Sequence, residues 1–140
     1  MRYLFVLCIV FFTYLYAKEV AFVKSATGEV IAKSEGKIIQ VKNADRLDEK
    51  ILLLTKKDSE VKLIFKDNSV LVLGPNSSLV LEKYVFEPEN QEYDVQLNLN
   101  KGVASFESGD IAKYAPQNFI FKTPESDITM RGAKFIVKVQ

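Results

Sequence analysis

The side chains most often used for covalent and metal chemistry are nearly missing from this chain, which has no histidine, no tryptophan and one cysteine, Cys8. Without imidazole or a usable thiolate there is no histidine-activated nucleophile and no ordinary zinc, copper or haem ligand set. Two catalytic arrangements survive that test: a carboxylate pair of glycosidase type and a serine–lysine dyad. Glu82, Glu87 and Glu89 are the candidate carboxylates. They fall beside strand ends and loops, where acids are ordinarily solvated, and no convergent pocket can be named around them. Enzyme activity is therefore not expected. Asp45, Asp48 and Glu49 offer oxygen ligands to a hard cation, but Arg46 and Lys50 among them favour an ion-paired surface loop. No cofactor and no metal are expected.

Tyr84, Phe86 and Tyr93 make a sugar-stacking platform only if their rings are exposed. Tyr84 and Phe86 share a strand face with Glu82, so packing against Tyr93 is the expectation. Arg131-Gly132 reads as a strand bulge or a close backbone approach, with Arg131 extending into solvent.

The elements that position these residues begin after an address label. Arg2 gives a positive start, and Tyr3 to Tyr16 is an apolar and aromatic run that closes on Ala17 before Lys18 and Glu19. The run is shorter than the roughly twenty apolar residues of a bilayer span, so residues 1–17 are read as a signal peptide and residues 18–140 as one exported domain. Leu15, two places before Ala17, departs from the small-x-small cleavage context, which keeps an uncleaved N-terminal anchor as the alternative. Cys8 lies inside the leader, so the remaining domain has neither disulfides nor thiolate sites and must rest on its core. The 19 basic and 18 acidic residues nearly balance. Lys56-Lys57 is answered at once by Asp58 and Glu60, and no nucleic-acid footprint is indicated.

From Glu19 onward the apolar period is near two, and no window has helical spacing. In residues 93–99, Tyr93, Val95, Leu97 and Leu99 share one face while Asp94, Gln96 and Asn98 share the other. Asn100-Lys101-Gly102 is expected to turn the chain into a hairpin with residues 103–106. Further strands are expected at 20–24, 29–33, 37–41, 51–54, 79–86, 118–122 and 134–139, and loops at 43–50, 87–92 and 108–117. Val61, Val70 and Leu79 recur every nine residues, as do Leu63, Val72 and Leu81, with polar turns between them. All six are expected in the core. The fold class is all-β, a single domain of stacked short strands arranged as a β-sandwich or as a short β-solenoid, with the repeat leaning towards stacked coils.

The order of motifs resembles the FecR family, in its stand-alone periplasmic form. Gly28-Glu29-Val30 opens the chain, and a segment ending in Thr55 leads to Asp67-Asn68-Ser69 and Gly74-Pro75-Asn76-Ser77. Thr123-Pro124 and Arg131-Gly132-Ala133-Lys134-Phe135 close it. Asn68 stands where the family usually has glycine, and Ala133 where it usually has threonine. Asparagine enters left-handed turns readily, so the first departure is mild. The resemblance implies a periplasmic signalling or protein-interaction module, linked to iron uptake or envelope sensing, with an envelope protein as partner. It implies no active site. The rival reading is a cell-envelope polysaccharide or peptidoglycan binder.

Gly28, Asp67, Asn68, Ser69, Gly74, Pro75, Asn76, Thr123, Pro124 and Gly132 are taken as structural motif residues. The last strand offers a partner edge through Lys134, Ile136 and Lys138, whose lysines guard against indiscriminate pairing. Asp67 is read as a turn side chain worth about 1 kcal/mol, less than the cost of Gly132→Val.

Overall fold

The computed structural model describes residues 19–130 and 134–140. The leader expected at 1–17, and Arg131, Gly132 and Ala133 with the bulge expected there, lie outside the described residues.

Alternating residues form strands here because each segment has one face to bury. In chain order these are β1 (Glu19–Thr27), β2 (Val30–Ser34), β3 (Lys37–Gln40), β4 (Arg46–Asp48), β5 (Ile51–Thr55) and β6 (Glu60–Phe65). They continue as β7 (Val70–Leu73), β8 (Ser78–Glu87), β9 (Glu92–Glu107), β10 (Phe119–Lys122), β11 (Asp127–Thr129) and β12 (Lys134–Val139). Among the described residues one short α-helix, α1 (Ile111–Tyr114), and two single 3-10 turns, Pro88–Asn90 and Pro116–Asn118, interrupt the all-β pattern.

β9 belongs to two layers. Its first part pairs antiparallel with β8, Leu97 opposite Leu81, and parallel with β10, Leu97 opposite Phe121. Its last part pairs antiparallel with β7 and with β12, so that Phe106 lies between Leu71 and Phe135. From β9 one layer continues through β8, β5, β2 and β3, and the other through β7, β6, β1 and β4. The inner faces meet in an aliphatic and aromatic core. Phe65 of β6 stacks on Tyr84 of β8 with ring centres 4.2 Å apart and planes 3° from parallel. Phe106 packs on Phe119 at 4.8 Å.

The hairpin expected at Asn100-Lys101-Gly102 is not formed: residues 92–107 are one strand. Gly102 does take a positive φ of 96°, but the bend passes the strand from one layer to the other instead of reversing it. A Cβ there would meet the backbone and side chain of Ser77 at 2.5 Å or less, so glycine is required by the crossing. The reason no hairpin forms is that Ala104 and Phe106 find their partners on β7 and β12, not on the preceding residues.

The nine-residue repeat is likewise not a stack of coils. β6 and β7 pair antiparallel, Val61 opposite Leu73 and Leu63 opposite Leu71, whereas solenoid coils stack in parallel. Val61, Leu63, Leu79 and Leu81 are buried, but Val70 and Val72 face outward half-exposed, and Leu71 and Leu73 take the core positions. Residues 43–50 hold β4, whose Leu47 is buried, where a loop was expected. Residues 108–117 hold α1 for the same reason, since Ile111 is fully buried.

Candidate functional site

The buried polar residues among those described are Thr55, Ser59, Asp67, Ser69 and Ser77, all within or between the turn motifs of residues 55–77. Among the described residues no buried side-chain nitrogen or oxygen lacks a hydrogen-bond partner. Burial without partners would be costly, so the motifs are kept polar by the bonds they make inside the fold.

Asp67 is the centre of that network, which corrects its reading as a turn side chain of small worth. Its Oδ1 accepts from the Tyr84 hydroxyl at 2.6 Å and from the Ser69 amide at 3.1 Å. Its Oδ2 accepts from the Ser69 hydroxyl at 2.8 Å and from the Ile111 amide at 3.0 Å. The Asp67 carbonyl takes the Asp110 amide at 2.9 Å, and Ser69 Oγ takes the Gly109 amide at 2.8 Å. The turn, β8 and the start of α1 are thus tied into one knot. Asn68 turns the chain with φ 67°. Burial, then the charge of Asp67 and the hydrogen bond to it, hold the Tyr84 phenol well above its usual pKa range.

The other motifs are stitches of the same kind. Thr55 Oγ1 donates to the Gly74 carbonyl and accepts from the Ser77 amide at 2.9 Å. Ser77 Oγ accepts from the Val103 amide at 3.0 Å and donates to the Pro75 carbonyl at 3.0 Å, while Asn76 holds the turn with φ 52°. At Gly28, φ 76°, Ser59 Oγ accepts the following Glu29 amide at 2.8 Å. Thr123-Pro124 is different: among the described residues Thr123 bonds only Ser126, in a local turn at the surface.

The candidate partner edge lies where, among the described residues, strand β12 has β9 on one side only. Lys134, Ile136 and Lys138 point to the outer face, with Ile136 71 % exposed. Val137 is buried, and Phe135 packs on Phe106, Phe119 and Phe121. Sequence reasoning missed a second edge, β3, in which all four residues are exposed. Ile38-Ile39 was the available signal, an aliphatic pair in a strand with neither face able to be wholly inward.

The aromatic group divides. Tyr84 is in the core, whereas Phe86 and Tyr93 are half-buried and pack with Tyr114 of α1, at 5.8 and 6.0 Å. A strand irregularity between Leu81 and Lys83 takes Glu82 out of simple alternation with Tyr84. The acids of residues 45–49 go separate ways. Asp45 accepts the Lys42 amide at 2.8 Å, Glu49 accepts the Tyr84 amide at 3.0 Å, and Arg46 pairs with Glu19 at 3.0 Å. Partial burial, then the nearby charge of Glu19, raises the Asp48 pKa. Among the described residues no three acidic, histidine or cysteine side chains converge as a metal site, and no helix is long and apolar enough to cross a membrane.

The family model described as FecR protein matches residues 52–140. No curated protein and no solved structure matches the chain.

Proposed function

Since this chain belongs to the FecR family, whose members are signalling-related regulatory modules, we propose that it is exported to the periplasm and acts there by binding an envelope protein. The observation that carries this reading is how the polar side chains are spent. Those buried in the motifs hold turns together, while aliphatic residues stand exposed on strand edges, at Ile136 and at Ile38-Ile39. Unpaired strand edges accept a partner's backbone. Recognition then uses main-chain hydrogen bonds and aliphatic contact and needs no metal. Any coupling to iron uptake passes through the partner. The carbohydrate-binding alternative needs several open ring faces, and of Phe86, Tyr93 and Tyr114 only Tyr114 is exposed.

The test is crosslinking in the native cell from Lys134 and Lys138, with and without chelator. A reproducible protein partner that persists under chelation is expected; capture of glycan alone moves the assignment to the carbohydrate binder. Mass spectrometry of the same material should show a chain starting at Lys18, and a membrane-retained species starting at Met1 would make it an anchored protein.

A further inference from the structure

β3 and β4 end the two layers, and among the described residues each has a strand on one side only, β2 beside β3 and β1 beside β4. The two strands nevertheless line one groove of about 430 Å³. Its floor is apolar, formed by the buried Ala32, Val41, Leu47 and Ile51. Ile39, opposite Ala32 and 55 % exposed, makes one wall. On the outer face Ile38, 69 % exposed, heads a row in which Lys33, Leu52 and Val80 follow strand by strand. Ile31 and Leu54 lie beside that row. Proteins ordinarily blunt a free edge with charge, proline or a bulge. Here the edge carries one lysine at its start and two adjacent isoleucines, one on each face.

We propose that the seam between β3 and β4 receives an extended segment of another protein, added as a strand along β3, aliphatic on both faces and carrying a basic residue. The inference rests on the protein-binding reading above and assigns its site. Side chains of an added strand alternate. One set therefore enters the groove over Val41, Leu47 and Ile51, and the other extends the outer row past Ile38, beside Lys33. β4 presents a second free edge across the groove. The basic residue follows from the rim, where Glu35, Asp45 and Asp48 face Lys37 and Arg46, and Arg46 is already held by Glu19. The rim is left with surplus negative charge, and the raised pKa of Asp48 marks a carboxylate that a cation would relieve. A second copy of this chain is a poorer occupant, because it brings its own acidic rim to the same place.

The probe is a fluorescein-labelled peptide of consecutive valines with one central lysine and a serine-rich flank at each end, titrated with residues 18–140 and read by fluorescence anisotropy. Saturable binding is expected, weakened at least tenfold by Ile39→Asp and changed less than twofold by Gln117→Asp, an exposed position outside the groove. N-methylation of alternate peptide bonds, which removes backbone donors but keeps the side chains, should also cost at least tenfold. Replacing the peptide lysine by glutamate should cost about threefold, and Asp48→Asn should abolish that preference. Thermal melts of each variant confirm that it folds. Binding indifferent to Ile39→Asp or to N-methylation overturns the proposal, as does a sedimentation result in which the chain self-associates through Ile39 and excludes the peptide. If Ile39→Asp removes peptide binding but leaves the partner crosslinked in cells unchanged, the seam is not the partner's site while the protein-binding function stands. If neither peptide nor cellular partner is bound, both fall.

Discussion

Asp67-Asn68-Ser69 and Thr123-Pro124-Glu125-Ser126 are both short polar turns between strands, and on paper they look alike. In the fold they are opposites. The first is wholly buried at Asp67 and Ser69, and its bonds reach Tyr84, Gly109 and Ile111. The second is exposed from Pro124 to Ser126, and among the described residues Thr123 bonds only Ser126, three residues on. The comparison teaches that a turn's worth depends on what its side chains reach and on how dry that place is. A carboxylate holding distant donors away from water leaves each of them stranded when it is lost, whereas an exposed turn has water as a substitute.

The comparison is broken or upheld first by Asp67→Ala. Removing the carboxylate strands the Ser69 and Ile111 amides and the Tyr84 hydroxyl, and a loss of about 4 kcal/mol is expected. Urea denaturation measures it, and a loss near 1 kcal/mol would return Asp67 to the rank of a local turn residue.

Gly109→Ala sharpens the point without deleting a polar group. A Cβ at Gly109 would sit 2.2 Å from the Asp67 carbonyl oxygen and 2.5 Å from the Ser69 nitrogen. Prying the knot open should cost about 2–3 kcal/mol, typical of overpacking against an unyielding neighbour.

Tyr84→Phe removes one spoke and should cost about 1.5 kcal/mol in neutral solution. It should also change the response to alkali. The folded state holds the phenol pKa above the usual value, so the stabilisation is complete below about pH 10. As pH rises past that value the unfolded chain surrenders its proton first, and stability falls. Melts of the natural protein should therefore decline above pH 10 more steeply than those of Tyr84→Phe, by up to about 1.4 kcal/mol per pH unit. Parallel declines would place the alkaline transition elsewhere.

Thr123→Ala should have the smallest effect, about 0.5 kcal/mol or less, in the same denaturation assay. A loss comparable with that of Asp67→Ala would dissolve the distinction between the two turns.

Much of this protein was already decided by the order of its residues. Period-two alternation in residues 93–99 dictates a strand whatever its neighbours are, because side-chain direction is set by the local backbone. The same holds for the left-handed turn at Asn68 and for Val137 inward with Lys138 outward on β12. The absence of histidine, a property of composition alone, removes whole classes of chemistry before any folding. What tertiary structure alone decided is which strand meets which. Gly102 reads as a hairpin turn until Ala104 and Phe106 find β7 and β12. Val70 and Leu71 are equally apolar, and only antiparallel pairing with β6 sends the second inward and leaves the first on the outer face. Asp67 and Ile111 stand forty-four residues apart, and β3 and β4 come to line one groove only after both layers are complete. Backbone alternation is a local property and can be read along the chain. Burial of a carboxylate or the opening of a seam depends on long-range pairing, for which each residue carries only part of the information.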